Sequence, residues 1–195
     1  MTKGSLYFSI LVFLIIFISG CTTNTTSPEQ PTKSISNMLL SNSDVGNLGF
    51  IVVNQREIDT ITIRHCAGFI SAERTSFTFT DKDVMDKDYN VHPGIINEIA
   101  EFISQQSAKD CFREKKQAKI DTCAKYPRSC ENKELILTPV VGDDSIIEKS
   151  ITSNGVSYGV HFVSGKYYAY IWILNEADIT LDKFVQLSKI VENKI

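Results

Sequence analysis

The chain predicts an α+β domain: an antiparallel β-sheet with helices packed on both faces and an amphipathic helix at the C-terminal end. Three stretches carry that expectation. Asn154-Gly155 stands between two alternating runs, Ile146 to Thr152 and Val156 to Ser164, and supplies the positive φ values of a tight hairpin turn. After the turn residues Gly165-Lys166 comes YYAYIWIL (Tyr167 to Leu174), apolar on both strand faces, which suits a central strand covered on both sides. Thr180 then caps a helix whose Phe184, Leu187, Ser188, Val191 and Ile195 form one stripe, with Lys183, Lys189, Glu192 and Lys194 mostly outside it.

The earlier elements are less sharply written. Met38-Leu39-Leu40 followed by Ser-Asn-Ser-Asp suggests a short helix or turn, and Phe50 to Val53 and Ile58 to Arg64 alternate as strands. Phe69 to Thr80 reads as one strand or as a hairpin turning near Ala72-Glu73-Arg74. Ile95, Ile96, Ile99, Phe102 and Ile103 have helical spacing, yet Glu98 to Ile103 also serves as a strand ending at Ser104. Ser107 with Asp110 three residues on forms a capping box, predicting a helix from Ala108 to about Lys119.

Ahead of the domain, Leu6 to Ile18 is apolar and follows a short cationic segment containing Lys3. At about 1.5 Å per residue that run is shorter than the roughly 30 Å hydrocarbon core, which suits a signal peptide rather than a permanent span. Ile18-Ser19-Gly20-Cys21 resembles a lipobox. The resemblance implies cleavage after Gly20 and a diacylglyceryl group on the Cys21 thiol, whose paired acyl chains hold a protein stably at a bilayer. Thr22 to Asn37 (TTNTTSPEQPTKSISN) then has too little apolar surface to order itself. The expected organisation is therefore a signal peptide over 1–20, a lipidated tether over 21–37 and a single domain over 38–195. Asn24-Thr25-Thr26 fits the N-glycosylation pattern where a host has that machinery. Cleavage removes Lys3 and leaves 19 Lys+Arg against 23 Asp+Glu, a net charge of −4, which gives no electrostatic case for nucleic acid or acidic lipid.

Four cysteines follow Cys21: Cys66, Cys111, Cys123 and Cys130. An even number in an exported chain argues for two disulfides with three connectivities open, and their spacings do not resemble a zinc site. A regular helix from Cys111 to Cys123 would separate them by about 18 Å, beyond bridging distance, so Cys66–Cys111 and Cys123–Cys130 is the favoured pairing.

Motifs for chemistry are scarce. His65, His92 and His161 lack metal-ligand spacing and read as structural residues; no cofactor and no metal is expected. Asp81, Asp83, Asp86 and Asp88 invite a calcium reading, but Met85 and Asp86 stand where an EF-hand loop needs an oxygen ligand and a glycine, so a solvated acidic loop is the simpler account. Asp143-Asp144 after Gly142 offers a carboxylate pair for acid–base work or, more simply, a turn into a strand. Tyr158 and Phe162 share one strand face, and Tyr168, Tyr170 and Trp172 share a face of the next. Were those faces to coincide at the surface, the five would line a groove for an apolar or sugar-like ligand; otherwise they are core.

The order of signals from Met38 resembles a known family. It runs from an LLS-x-S-D opening through FISQQSAKDCF (Phe102 to Phe112), VVGDDS (Val140 to Ser145) and GVHFVSGKYYAYI (Gly159 to Ile171) to a closing FVQLSKIVENKI helix. It is similar to the PsbP-like sandwich domains of archaeal and bacterial surface lipoproteins, including the mycobacterial LpqN group. The resemblance implies an antiparallel sheet with helices on both faces, a binding or accessory role without catalysis, and a strand near Phe102. The Cys-bearing stretch Asp110 to Lys133 departs from that pattern. The expected function is a membrane-anchored, extracytoplasmic, non-catalytic ligand-binding, accessory or sensor domain. Its partners would be the cell membrane through the lipid anchor and a membrane protein or a small apolar or sugar ligand. The alternatives are an extracytoplasmic hydrolase working through Asp143 and Asp144 and a structural envelope component.

Overall fold

A computed structural model describes residues 34–57, 65–80, 93–153, 155–176 and 179–195. Among these residues seven strands form one antiparallel sheet in the order β1-β2-β3-β7-β6-β5-β4. They are β1 (Asn54–Glu57), β2 (Phe69–Thr78), β3 (Gly94–Phe102), β4 (Lys133–Ile136), β5 (Asp144–Thr152), β6 (Gly155–Ser164) and β7 (Tyr167–Glu176). The α+β class is as the sequence predicts.

Strand alternation sorts the core into two sides. On β7, Tyr167, Ala169, Ile171 and Ile173 point one way, into a cluster with Ile95 and Ile99 of β3, Val160 and Phe162 of β6, and Phe184, Leu187 and Val191 of the C-terminal helix Leu181–Lys194. Tyr168 points the other way, joining Ala100, Phe102, Ile146 and Val163 under Ala108, Cys111 and Phe112 of the long helix Gln105–Lys125. β7 is apolar on both faces because a helix covers each. Tyr158 stacks on Phe184 at 5.4 Å, and Phe112 meets Tyr168 edge-on at 6.1 Å.

Caps set the helix starts. Thr180 accepts from the Lys183 amide at the C-terminal helix, as expected. A short helix, Asn42–Asn47, opens on a full capping box between Ser41 and Asp44, and Lys194 bonds both Asp44 and the Leu39 carbonyl. The long helix departs from expectation: Ser104, not Ser107, is its cap, accepting from the Ser107 amide at 3.1 Å. It starts at Gln105 and continues past Lys119 to Lys125, ending before Pro127. No proline or glycine interrupts it sooner.

Other differences have equally local causes. Residues 50–53 are not a strand: Phe50 stacks on Phe79 at 5.1 Å, and only at Val53 does the backbone reach β2, donating to the Thr78 carbonyl. The strand follows at Asn54–Glu57, while Ile58 to Arg64 lies outside the described residues. β2 is one strand, without a turn at Ala72-Glu73-Arg74, and residues 94–102 are strand rather than helix, since β3 pairs along its length with both β2 and β7. β4, unanticipated, is a short edge whose Lys133 and Glu134 pair with Glu148 and Lys149 of β5. Ile35, expected within the tether, is buried in the core from a 3-10 turn, Ile35–Asn37, so the packed chain begins before Met38.

Gly142 shows why VVGDDS turns where it does. Its φ is 67°, and a Cβ there would sit 2.4 Å from the Val163 carbonyl oxygen. Its amide donates to Glu192 at 2.9 Å, tying the turn to the C-terminal helix.

Candidate functional site

The five aromatic candidates do not meet on one face. Tyr158 and Phe162 point toward the C-terminal helix and are core, whereas Tyr168, Tyr170 and Trp172 lie on the opposite side of the sheet. The cause is register: Tyr158 pairs with Ile173 and Phe162 with Ala169, and paired residues share a face. The expected common groove does not form. Tyr168 is fully buried as well, leaving Tyr170 and Trp172, both half-buried, as the aromatic pair of this set that solvent reaches.

Around them the sheet presents a polar and aromatic cluster. His161 stacks on Tyr170 with ring centroids 4.4 Å apart, and Tyr170 meets Trp172 at 6.3 Å. Gly159 lies beneath these rings. A Cβ there would stand in ordinary van der Waals contact with Trp172 at 3.5 Å and Tyr170 at 3.8 Å, so the two rings lie close over this position. On β3 the fully buried Glu98 carboxylate lies 3.8 Å from the Arg74 guanidinium of β2. Arg74 and Glu98 are paired in register, and Glu98 in turn pairs with Tyr170.

The electrostatics of the cluster are those of a fixed, largely neutral surface. Burial pushes the His161 imidazole down to about 3, and Lys119 nearby adds to the effect. Burial likewise raises the phenols of Tyr168 and Tyr170, so both keep their protons. Tyr168 Oη and the neutral His161 ring share a hydrogen bond at Nδ1, 2.7 Å long. Beside them, burial alone would raise Glu148, but hydrogen bonds from Lys133 and Lys119 outweigh it and hold the carboxyl below its usual range.

Asp143 and Asp144 are each engaged by the long helix. Gln105 donates to Asp143 at 2.8 Å and Lys109 stands 3.5 Å away, while Lys116 binds Asp144 at 3.0 Å. The Gln105 hydrogen bond, with Lys109 adding to it, lowers the Asp143 pKa despite partial burial. A general acid near neutral pH needs the opposite shift. These carboxylates fasten the start of β5 to the long helix.

The cysteines form two bridges, Cys66–Cys111 and Cys123–Cys130, with Cα separations of 5.5 and 5.4 Å. Among the described residues, no group of three His, Cys, Asp or Glu side chains stands close enough to hold a metal ion. The Asp81 to Asp88 loop, His92 and Cys21 lie outside those residues. An open recess of about 530 Å³ lies at the β1 side, lined by Asn42, Val52, Val53, Asn54 and Gln55, and none of the aromatic candidates borders it.

Sequence reasoning missed Arg74 and Glu98. Their signal was parity: Glu98 falls in phase with Ile96 and Ala100, but only once residues 94–102 are known to be a strand.

No family model matches the chain, and no curated protein matches it. Its fold is similar to a solved structure, the extracellular domain of PknH from Mycobacterium tuberculosis, with a TM-score of 0.53. The two share 11% sequence identity over 82% of this chain and 93% of that one. The likeness is one of fold.

Proposed function

We propose that this chain is an extracytoplasmic binding domain, an accessory or sensor module without catalysis of its own, held at the cell membrane by lipid on Cys21. The observation that carries the reading is the pair of disulfides in a domain of this size, since such bridges persist in oxidising compartments outside the cytoplasm. The leader and its Ile18-Ser19-Gly20-Cys21 junction support it from the sequence side. So does the fold shared with a domain described as extracellular, and the PsbP-like resemblance is consistent with a surface lipoprotein. A hydrolase acting through Asp143 and Asp144 is disfavoured by their ties to the long helix. The binding face is the Tyr170–Trp172 surface, where each ring offers an apolar body and a polar tip to an apolar or sugar-like ligand or to a membrane protein.

Two experiments test this reading. Cys21→Ala is expected to remove the chain from the membrane fraction or to accumulate unprocessed precursor; unchanged processing and retention would refute the anchor. A photoreactive residue replacing Trp172, the one tryptophan of the chain, is then crosslinked in native membranes. A discrete product at position 172, lacking when the same group replaces the exposed Lys189, is the expected result. Identical products at both positions, or abundant lipid alone, would rule out that face.

A further inference from the structure

The two disulfides occupy unlike settings. Cys66 and Cys111 are buried, 7% and 3% exposed, in the cluster formed by Phe102, Ala108, Phe112 and Tyr168. Cys123 and Cys130 are half-buried and join the last turn of the long helix to a 3-10 turn, Pro127–Cys130, which has no buried residue.

The stretch around that second bridge has little else to hold it. From Arg113 to Lys125 no residue of the long helix is buried. Its inner side rests on ion pairs, Lys116 with Asp144 and Lys119 with Glu148, and these stop before Cys123. From Ile120 to Glu131 the bonds are local ones, Thr122 to the Ala118 carbonyl, the Tyr126 amide to Thr122, and Ser129 to the Tyr126 carbonyl; only at Asn132, whose carbonyl accepts from the Ile151 amide at 3.0 Å, is the chain tied back to the sheet. A helix end with no packed face is marginal in water and opens on its own. Lys125, the last helix residue and 5.1 Å from the Tyr126 ring, and Arg128 of the 3-10 turn are exposed, each two residues along the chain from a bridge cysteine, where cations favour an attacking thiolate and stabilise the one that leaves.

We propose that Cys123–Cys130 is a redox-sensitive clamp: a dithiol reductant opens it while Cys66–Cys111 and the domain stay intact, releasing residues 120–131. One thiolate of the reductant attacks a bridge sulfur to give a mixed disulfide and expels the other cysteine as thiolate. The second reductant thiol closes on the mixed disulfide, so the reductant leaves oxidised. The protein gains two electrons and two protons as two thiols. Opening frees Tyr126, and it slackens the connection that delivers Lys133 to Glu148 at the sheet edge.

The test is to treat the purified full-length chain with dithiothreitol without denaturant, trap thiols with an alkylating agent, and locate them by mass spectrometry. Cys123 and Cys130 should be labelled at least about tenfold faster than Cys66 and Cys111. Deuterium uptake should rise over residues 118–132 and stay unchanged in β2, β3 and β7. Equal labelling of both pairs, no labelling of either, or labelled Cys123 and Cys130 without greater uptake at the tip would each overturn the proposal. The Cys123→Ser/Cys130→Ser variant should reproduce the same local uptake with the sheet still protected; protection lost throughout would count equally against it.

Discussion

Replacing both Cys66 and Cys111 by serine should cost the domain about 4 kcal/mol, the loop-closure value for a bridge spanning 45 residues. The analogous loss at Cys123 and Cys130, seven residues apart, is about 2 kcal/mol. Burial widens the gap, because two serine hydroxyls in the Phe102–Phe112 cluster would need partners there. Since whole domains are stable by only about 5–15 kcal/mol, the first variant should unfold at much lower urea and the second should remain folded. Urea midpoints under matched conditions decide the matter. A Cys66/Cys111 variant as stable as the Cys123/Cys130 one would mean that the buried bridge does not hold the long helix to the sheet.

The second large effect is a loss of stability in mild acid that originates at His161. Its folded pKa, about 3, lies below the ordinary 6.5, so the unfolded chain binds the proton more readily than the folded one. Stability is therefore complete above the unfolded value and declines as pH falls from there toward the folded one. By about pH 5 the loss should reach about 2 kcal/mol. Asp44, Asp143 and Glu148, all shifted downward, contribute in a lower window, since their stabilisation is lost only as pH falls below the ordinary carboxylate range. The two windows are thus separable. His161→Phe, which keeps a ring against Tyr170, should flatten the decline between neutral pH and about pH 5 even though it strands the Tyr168 hydroxyl. An equal decline in that variant would show that another group carries it.

Much of this fold was legible from local pattern. The hairpin of β5 and β6, the doubly apolar Tyr167 strand and the Thr180-capped helix each rest on neighbours within a few residues and occur as read, except that Gly155 opens β6 opposite Thr152 rather than standing in the turn. The two bridges join the favoured pairs: a rigid helix keeps Cys111 from Cys123, and the short loop at Tyr126-Pro127 brings Cys130 back to Cys123. Where two readings competed, local pattern could not choose. Residues 94–102 satisfy helical and strand spacing alike, and pairing with β2 and β7 selected the strand. Serines at 104 and 107 both suit a cap, and the Ser104 carbonyl and hydroxyl took the role once Phe102 ended the strand.

The candidate site depended on the same limit. Sequence alone determined which residues are aromatic, which alternate along each strand, and that four cysteines follow Cys21. Tertiary structure alone decided which strands are neighbours and in what register. That register split Tyr158 and Phe162 from Tyr170 and Trp172, set Arg74 beside Glu98, and tied Asp143 and Asp144 to a helix. A side chain's face on its own strand is fixed by a period of two residues, whereas its neighbours across the sheet are fixed by pairings between segments far apart in the chain.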